Sequence, residues 1–131
     1  MRDLSTDLFA KHDPRVLAAL RRSTVGIAGA GGLGSNVAIS LARAGVGRLI
    51  IADFDRVEPS NLNRQQYFTR QIGRRKVEAL RENLRGVNPF SEYIVHAVRV
   101  TRRNAGRLFG EAEILVEAFD KAAAKQMLID A

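Results

Sequence analysis

TVGIAGAGGLGSNVAIS, residues 24–40, is the stretch that decides the fold. Its first five residues are apolar or small, with no polar alternation, as in a strand buried on both faces. GAGGLG follows at once, and Val37, Ile39, Leu41 and Ala44 then keep a helical spacing that Gly45 ends. Strand, glycine turn and helix in immediate succession is the context that a GxGxxG phosphate loop requires. Each glycine has a physical task. Gly29 allows the tight turn, Gly31 lets backbone N–H groups approach a phosphate, and Gly34 lets the helix lie close to the strand. The helix N-terminus adds unpaired N–H donors and the positive end of a dipole.

Outward from this unit, RLIIAD at 48–53 reads as a second strand apolar on both faces, ending in Asp53, whose carboxylate suits ribose hydroxyls. Upstream, Asp13-Pro14 has the form of an N-cap followed by a first-turn proline, opening a helix whose Val16, Leu17 and Leu20 share a face. The dozen residues before it read as an irregular polar arm. Downstream, 54–63 is a polar loop. Lys76 to Leu84 is helical, with Val77, Leu80 and Leu84 on one stripe, and Asn88-Pro89 stops it. SEYIVHAVRV (91–100) alternates as a third strand, 102–109 forms a short helix, ILVEAF (114–119) is a fourth strand, and KAAAKQMLIDA opens another helix. The pattern predicts an α/β fold with a doubly wound, mostly parallel, Rossmann-like sheet. The expected organisation is an arm over 1–12 and a nucleotide-binding domain over 13–131. Because the alternation stops inside a helix, the chain reads as the N-terminal portion of a larger fold.

Composition narrows the chemistry. The 131 residues hold 46% apolar side chains, enough for a core, and no cysteine, which excludes disulfides, thioester intermediates and cysteine-ligated zinc. No apolar run is long enough to span a bilayer and no signal peptide opens the chain, so a cytoplasmic protein is expected. Lys and Arg exceed Asp and Glu by 21 to 14, a net charge of +7 that favours polyanionic partners. His12 and His96 are isolated and make no metal site.

The glycine turn and Asp53 specify only a nucleotide with an adenosine end: NAD, FAD, S-adenosylmethionine and ATP all fit. The next segment separates them. Asp53-Phe54-Asp55 leads to Ser60-Asn61-Leu62-Asn63-Arg64-Gln65 and then to the basic Arg74-Arg75-Lys76. A planar Arg fork and a compact Lys charge suit a triphosphate. Asp120, at the end of the fourth strand, is placed to hold Mg²⁺ together with phosphate and water.

GxGGLGSNVAxxLARAGVG, DFDxVExSNLNRQ, IGxxKVEAL and the NP pair together resemble the ThiF/MoeB adenylyltransferases, the bacterial relatives of ubiquitin-activating enzymes. SNLNRQQYFTRQIG (60–73) looks most like the short ThiF proteins of thiamine biosynthesis. The resemblance implies ATP- and Mg²⁺-dependent adenylylation of the C-terminal Gly-Gly carboxylate of a ubiquitin-fold, ThiS-like sulfur carrier, in a homodimer. By position, Gly29, Gly31, Gly32 and Gly34 match the nucleotide loop, Asp53 the ribose ligand, and Asn61, Arg64 and Lys76 the groups around the triphosphate. Gln65 supports them, Asp55 is a further ligand or a loop cap, and Asp120 matches the magnesium aspartate. Arg64, Lys76 and Asp120 are the expected catalytic set. The chain departs from the family pattern at Glu117 and Lys121, where relatives carry Asp and Asn. Arg2 and Arg15 are candidates for an arginine that some relatives supply across the dimer, or are surface charges. Besides a non-catalytic subunit of a heterodimeric activating enzyme, against which the presence of Arg64, Lys76 and Asp120 argues, two other functions compete. One is a dehydratase that adenylylates a modified tRNA adenosine, to which the basic surplus points. The other is an NAD-dependent oxidoreductase, which has no use for Arg64 and Lys76.

Overall fold

The computed structural model describes residues 4–119. Four parallel strands, β1 (Thr24–Ala28), β2 (Arg48–Ala52), β3 (Glu92–His96) and β4 (Ile114–Glu117), lie in the order β3-β2-β1-β4. The chain starts at β1 in the middle, steps outward to β3, and returns to the other side of β1. The reversal beside β1 makes a crevice at the carboxyl ends of the strands. Val25 to Ala28 pair in register with Leu49 to Ala52 on one side and with Ile114 to Glu117 on the other.

Helices cover both faces. α3 (Gly32–Ala44) and α4 (Lys76–Val87) pack on one, closing a core of Ile27, Leu49, Ile51, Val77, Leu80 and Leu84, each fully buried. The expected stripe on α4 is the buried one, and each such side chain contributes about 1.5–3 kcal/mol relative to exposure. On the opposite face Leu108 and Phe109 of α5 (Ala105–Phe109) cover Ala28, Ile50 and Ala52. Two α-helices precede the sheet: α1 (Leu4–Leu8) and α2 (Pro14–Arg21). The Asp13 carboxylate caps α2 by accepting from the N–H groups of Arg15 and Val16 at 2.8 and 3.3 Å. Among the described residues no helix is long and apolar enough to cross a membrane.

Four expectations are corrected. The opening segment is not irregular, since α1 forms there and Phe9 is buried against the ring edge of His12 and beneath Arg21. Val16 does not share the inner face of α2: it is 55% exposed, whereas Leu20 packs on the core. In α3 the buried positions are Gly34, Ser35, Ala38 and Ala42, small residues that bring the helix close to the sheet, while Val37, Ile39 and Leu41 flank them. The third strand ends at His96, four residues before the alternating pattern does, because its neighbour β2 stops at Ala52, the partner of His96. Without an adjacent strand, residues 97–100 leave the ladder and turn over the crevice. The expected helix after β4 lies outside the described residues.

Candidate functional site

The glycine turn owes its shape to two hard constraints. Gly29 sits at φ +113°, and a Cβ there would come within 2.8 Å of the Ala118 carbonyl oxygen. A Cβ on Gly34 would lie 1.9 Å from the Gly29 carbonyl oxygen, so any side chain would push α3 off the turn. Gly31 is the N-cap of α3 and carries no side-chain cap. Among the described residues, the N–H groups of Gly31, Gly32, Leu33 and Gly34 find no backbone or side-chain acceptor. They are the orphan donors of a helix start, presented at the crevice.

Asp53, one residue past β2, shapes the turn as well as facing it. Its Oδ2 accepts from the Ala30 N–H at 2.7 Å and its Oδ1 from the Asp55 N–H at 2.7 Å. Each carboxylate oxygen keeps a lone pair for a ligand hydroxyl. The Asp55 carbonyl accepts the Lys76 N–H at 2.9 Å, which fixes the start of α4 at the same place.

A cleft of about 440 Å³ opens here, and Gly29, Gly31, Asp53, Asp55 and Lys76 line it. Phe54, Val98, Val100 and Phe119 add apolar lining, with the Arg99 guanidinium 4.5 Å above the Phe54 ring. A lining of both kinds suits a ligand with a charged part and a flat apolar part. Lys76 is only 7% exposed, and among the described residues no carboxylate pairs with it. A buried cation without a partner is unfavourable until an anion arrives.

Arg64 and Gln65 reach the turn from the loop between β2 and α4. Arg64 Nε would lie 3.9 Å from a Cβ on Gly32, and Gln65 Nε2 3.7 Å from a Cβ on Gly31. The first turns of α3 hold this segment. Asn36 donates to the carbonyl of Arg64 at 2.9 Å and to that of Gly32 at 2.6 Å, and the Ser35 hydroxyl accepts the Gln66 N–H at 3.2 Å. The Arg64 guanidinium bonds to the Ser60 carbonyl and to the Asn63 side chain, both at 3.1 Å. Gln65 is 7% exposed, and its buried Oε1 has no hydrogen-bond partner. Asn61 lies farther back: its side-chain oxygen accepts the Glu58 N–H at 2.8 Å and closes a single 3-10 turn, and it does not line the cleft.

The sequence thus brings Gly29, Gly31, Gly32, Gly34, Asp53, Asp55, Arg64, Gln65 and Lys76 to one end of the sheet, with Asn61 behind them. Asp120 lies outside the described residues. Among those described, no group of three or more His, Asp or Glu side chains is arranged to hold a metal ion. Sequence reasoning missed Asn36, Arg99 and the apolar wall. Asn36 stands within the glycine motif but reads as an ordinary helix residue, and 98–100 reads as strand.

The profile of the ThiF family matches residues 3–131. Over 113 residues the chain is 42% identical to the adenylyltransferase and sulfurtransferase MOCS3 of Aedes aegypti, covering 86% of this chain and 26% of that protein. Over 82 residues it is 46% identical to the ubiquitin-like modifier-activating enzyme 5 of Caenorhabditis elegans, covering 63% of this chain and 20% of that one. The Escherichia coli tRNA N6-threonylcarbamoyladenosine dehydratase TcdA, solved in complex with AMP, superposes with a TM-score of 0.87 at 28% identity, over 94% of this chain and 51% of that one. The chain therefore spans about a quarter of the first curated relative and half of the solved structure.

Proposed function

We propose a reaction for this chain from one fact: it belongs to the ThiF family. The reaction is ATP-dependent adenylylation of a carboxylate, and the acceptor we favour is the C-terminal Gly-Gly carboxylate of a small ubiquitin-fold sulfur carrier, ThiS-like, in thiamine biosynthesis. The observation that carries the reading is Lys76, a buried cation without a carboxylate partner among the described residues, lining the same cleft as Gly31 and Asp53. A triphosphate supplies the missing anion. The adenosine end then lies toward Phe54, Val98 and Val100, with the ribose at Asp53.

The acceptor carboxylate is ionised at neutral pH and needs no general base. Its oxygen bonds to the α-phosphorus, the bond from that phosphorus to the bridging oxygen of the β-phosphate breaks, and pyrophosphate leaves with the electron pair. The obstacle is one of charge, an anion approaching a polyanion. The residues of this chain therefore act by position and field. Orphan N–H groups of the turn, Arg64 and Lys76 hold the phosphates, and Gln65 fixes their edge. Mg²⁺ would travel with the phosphates and neutralise part of their charge, with Asp120 as its proposed protein ligand.

A modified tRNA adenosine is the second acceptor to weigh. The TcdA structure, Arg99 in the cleft lining and the exposed Arg102, Arg103 and Arg107 that follow it in the chain favour it. One experiment separates the two: the protein, ATP and Mg²⁺ are incubated with Gly-Gly carriers or with tRNA, and the products are weighed by mass spectrometry. A carrier heavier by AMP supports the proposal. Modified tRNA with unmodified carriers supports the second acceptor, and no ATP turnover with either rejects both.

A further inference from the structure

Tyr67 has no place in the reaction as drawn so far. It is a buried ring in the loop that carries Arg64 and Gln65, and it packs with the core beneath the sheet end. Its hydroxyl donates to the Ala30 carbonyl at 2.5 Å. On the other side of Ala30, the N–H donates to Asp53 at 2.7 Å. Ala30 is the middle of the Gly29-Ala30-Gly31 turn and is fully buried. Side chains from two separate loops therefore grip one residue at both of its peptide groups.

The geometry of a trans peptide turns this grip into a direction. The carbonyl of one residue and the N–H of the next point opposite ways across the rigid plane. With the Ala30 carbonyl fixed on Tyr67, the Gly31 N–H points away from Tyr67. Gly31 lines the cleft and Tyr67 does not. We propose that Tyr67 is a positioning residue for the phosphate turn: its hydroxyl sets the Ala30–Gly31 peptide plane so that the Gly31 N–H faces the phosphates. This rests on the ATP reading above. Glycine at 31 has little resistance to rotation of that plane, and a rotated plane would present a carbonyl oxygen to a polyanion. Burial, and secondarily the Asp53 carboxylate, hold the Tyr67 phenol far above its ordinary range, so it remains a donor at every working pH.

The test is Tyr67→Phe in the full chain, which deletes one oxygen and keeps the ring. Calorimetric titration with ATP, AMP and adenosine separates the phosphates from the rest of the nucleotide. The expected result is an affinity for ATP and AMP about tenfold or more below wild type, as for a lost hydrogen bond to a charged group, with adenosine unchanged within about twofold on that scale. An unchanged ATP affinity overturns the proposal. A parallel loss for adenosine also overturns it, since that marks a general loosening of the fold. If the wild-type chain binds no ATP at all, the nucleotide reading falls and the role of Tyr67 with it. Should the variant not fold, ¹⁵N-labelled wild-type chain decides instead. The Gly31 amide proton should shift on adding ATP but not adenosine, and a Gly31 signal that ATP leaves in place overturns the proposal.

Discussion

Lys76→Met is the substitution for which stability and function should move in opposite directions. Methionine keeps an unbranched apolar stem and removes only the charge. At 7% exposure the side chain is buried, and its ammonium, which reaches the cleft, has no carboxylate partner among the described residues. Replacing a buried ion by an apolar side chain of similar volume is neutral or stabilising by about 1–4 kcal/mol. The low end applies here, because Lys76 also faces the cleft and keeps some water. Toward a phosphate the sign reverses. Two unit charges at about 4 Å with an effective dielectric near 20 attract by ~4 kcal/mol. Part of that replaces hydration, which leaves the 10²–10³-fold typical of one electrostatic stabiliser as the expected loss in turnover. Thermal melting of the free chain should therefore show an equal or higher midpoint for the variant, while ATP–pyrophosphate exchange falls about 10²-fold or more. Exchange within twofold of wild type would refute the reasoning. So would a clear fall in the melting midpoint, because the ammonium would then be holding the fold together and not awaiting an anion.

Three further outcomes follow from the packing. Gly34→Ala places a methyl 1.9 Å from the Gly29 carbonyl oxygen and should destabilise by about 3 kcal/mol or more, read from urea midpoints; a near-wild-type midpoint would mean α3 can slide. Asn88→Leu removes the bonds that a fully buried amide makes to the Ala42 carbonyl, the Ser91 hydroxyl and the Phe90 N–H; the first two keep the Gly45 N–H and the Val46 carbonyl as partners, so the cost should be about 1–3 kcal/mol by the same measurement. Glu82 is held below the ordinary carboxylate range, first by its bond to Arg74 and then by Gln71. A lowered folded value means the pairing stabilises above the unfolded carboxylate pKa and is lost as pH falls through the folded one. Glu82→Gln should flatten the loss of stability between about pH 5 and 3, and parallel curves would show that the pair contributes nothing.

Much of this was legible in the sequence because each signal is local. The glycine turn announces itself, since a positive φ at 29 and a contact distance at 34 admit nothing larger. Val77, Leu80 and Leu84 show their face by spacing alone. What was not legible depends on neighbours. The pattern YIVHAVRV continues past His96, but the ladder cannot, because β2 ends opposite it. Val98 and Val100, among those released residues, supply part of the apolar lining of the cleft. Tyr67 reads as one more core ring, and only the fold reveals that its hydroxyl meets Ala30 from 37 positions away. Small inward residues on α3 outvoted the larger ones because Ser35, Ala38 and Ala42 let the helix approach the sheet. Arg64 and Lys76 stand out as a planar fork and a compact charge gathered beyond the second strand, and the family resemblance separates them from the other bases of that segment.

The central claim is that the cleft was built for phosphates seated on the glycine turn between Arg64 and Lys76. The most direct test is the affinity of the wild-type chain for adenosine, AMP and ATP, measured at low and high salt. Affinity that climbs with each added phosphate, and a climb that salt erodes, is the predicted result. Equal affinity for all three, indifferent to salt, would contradict it and leave only a pocket for adenosine.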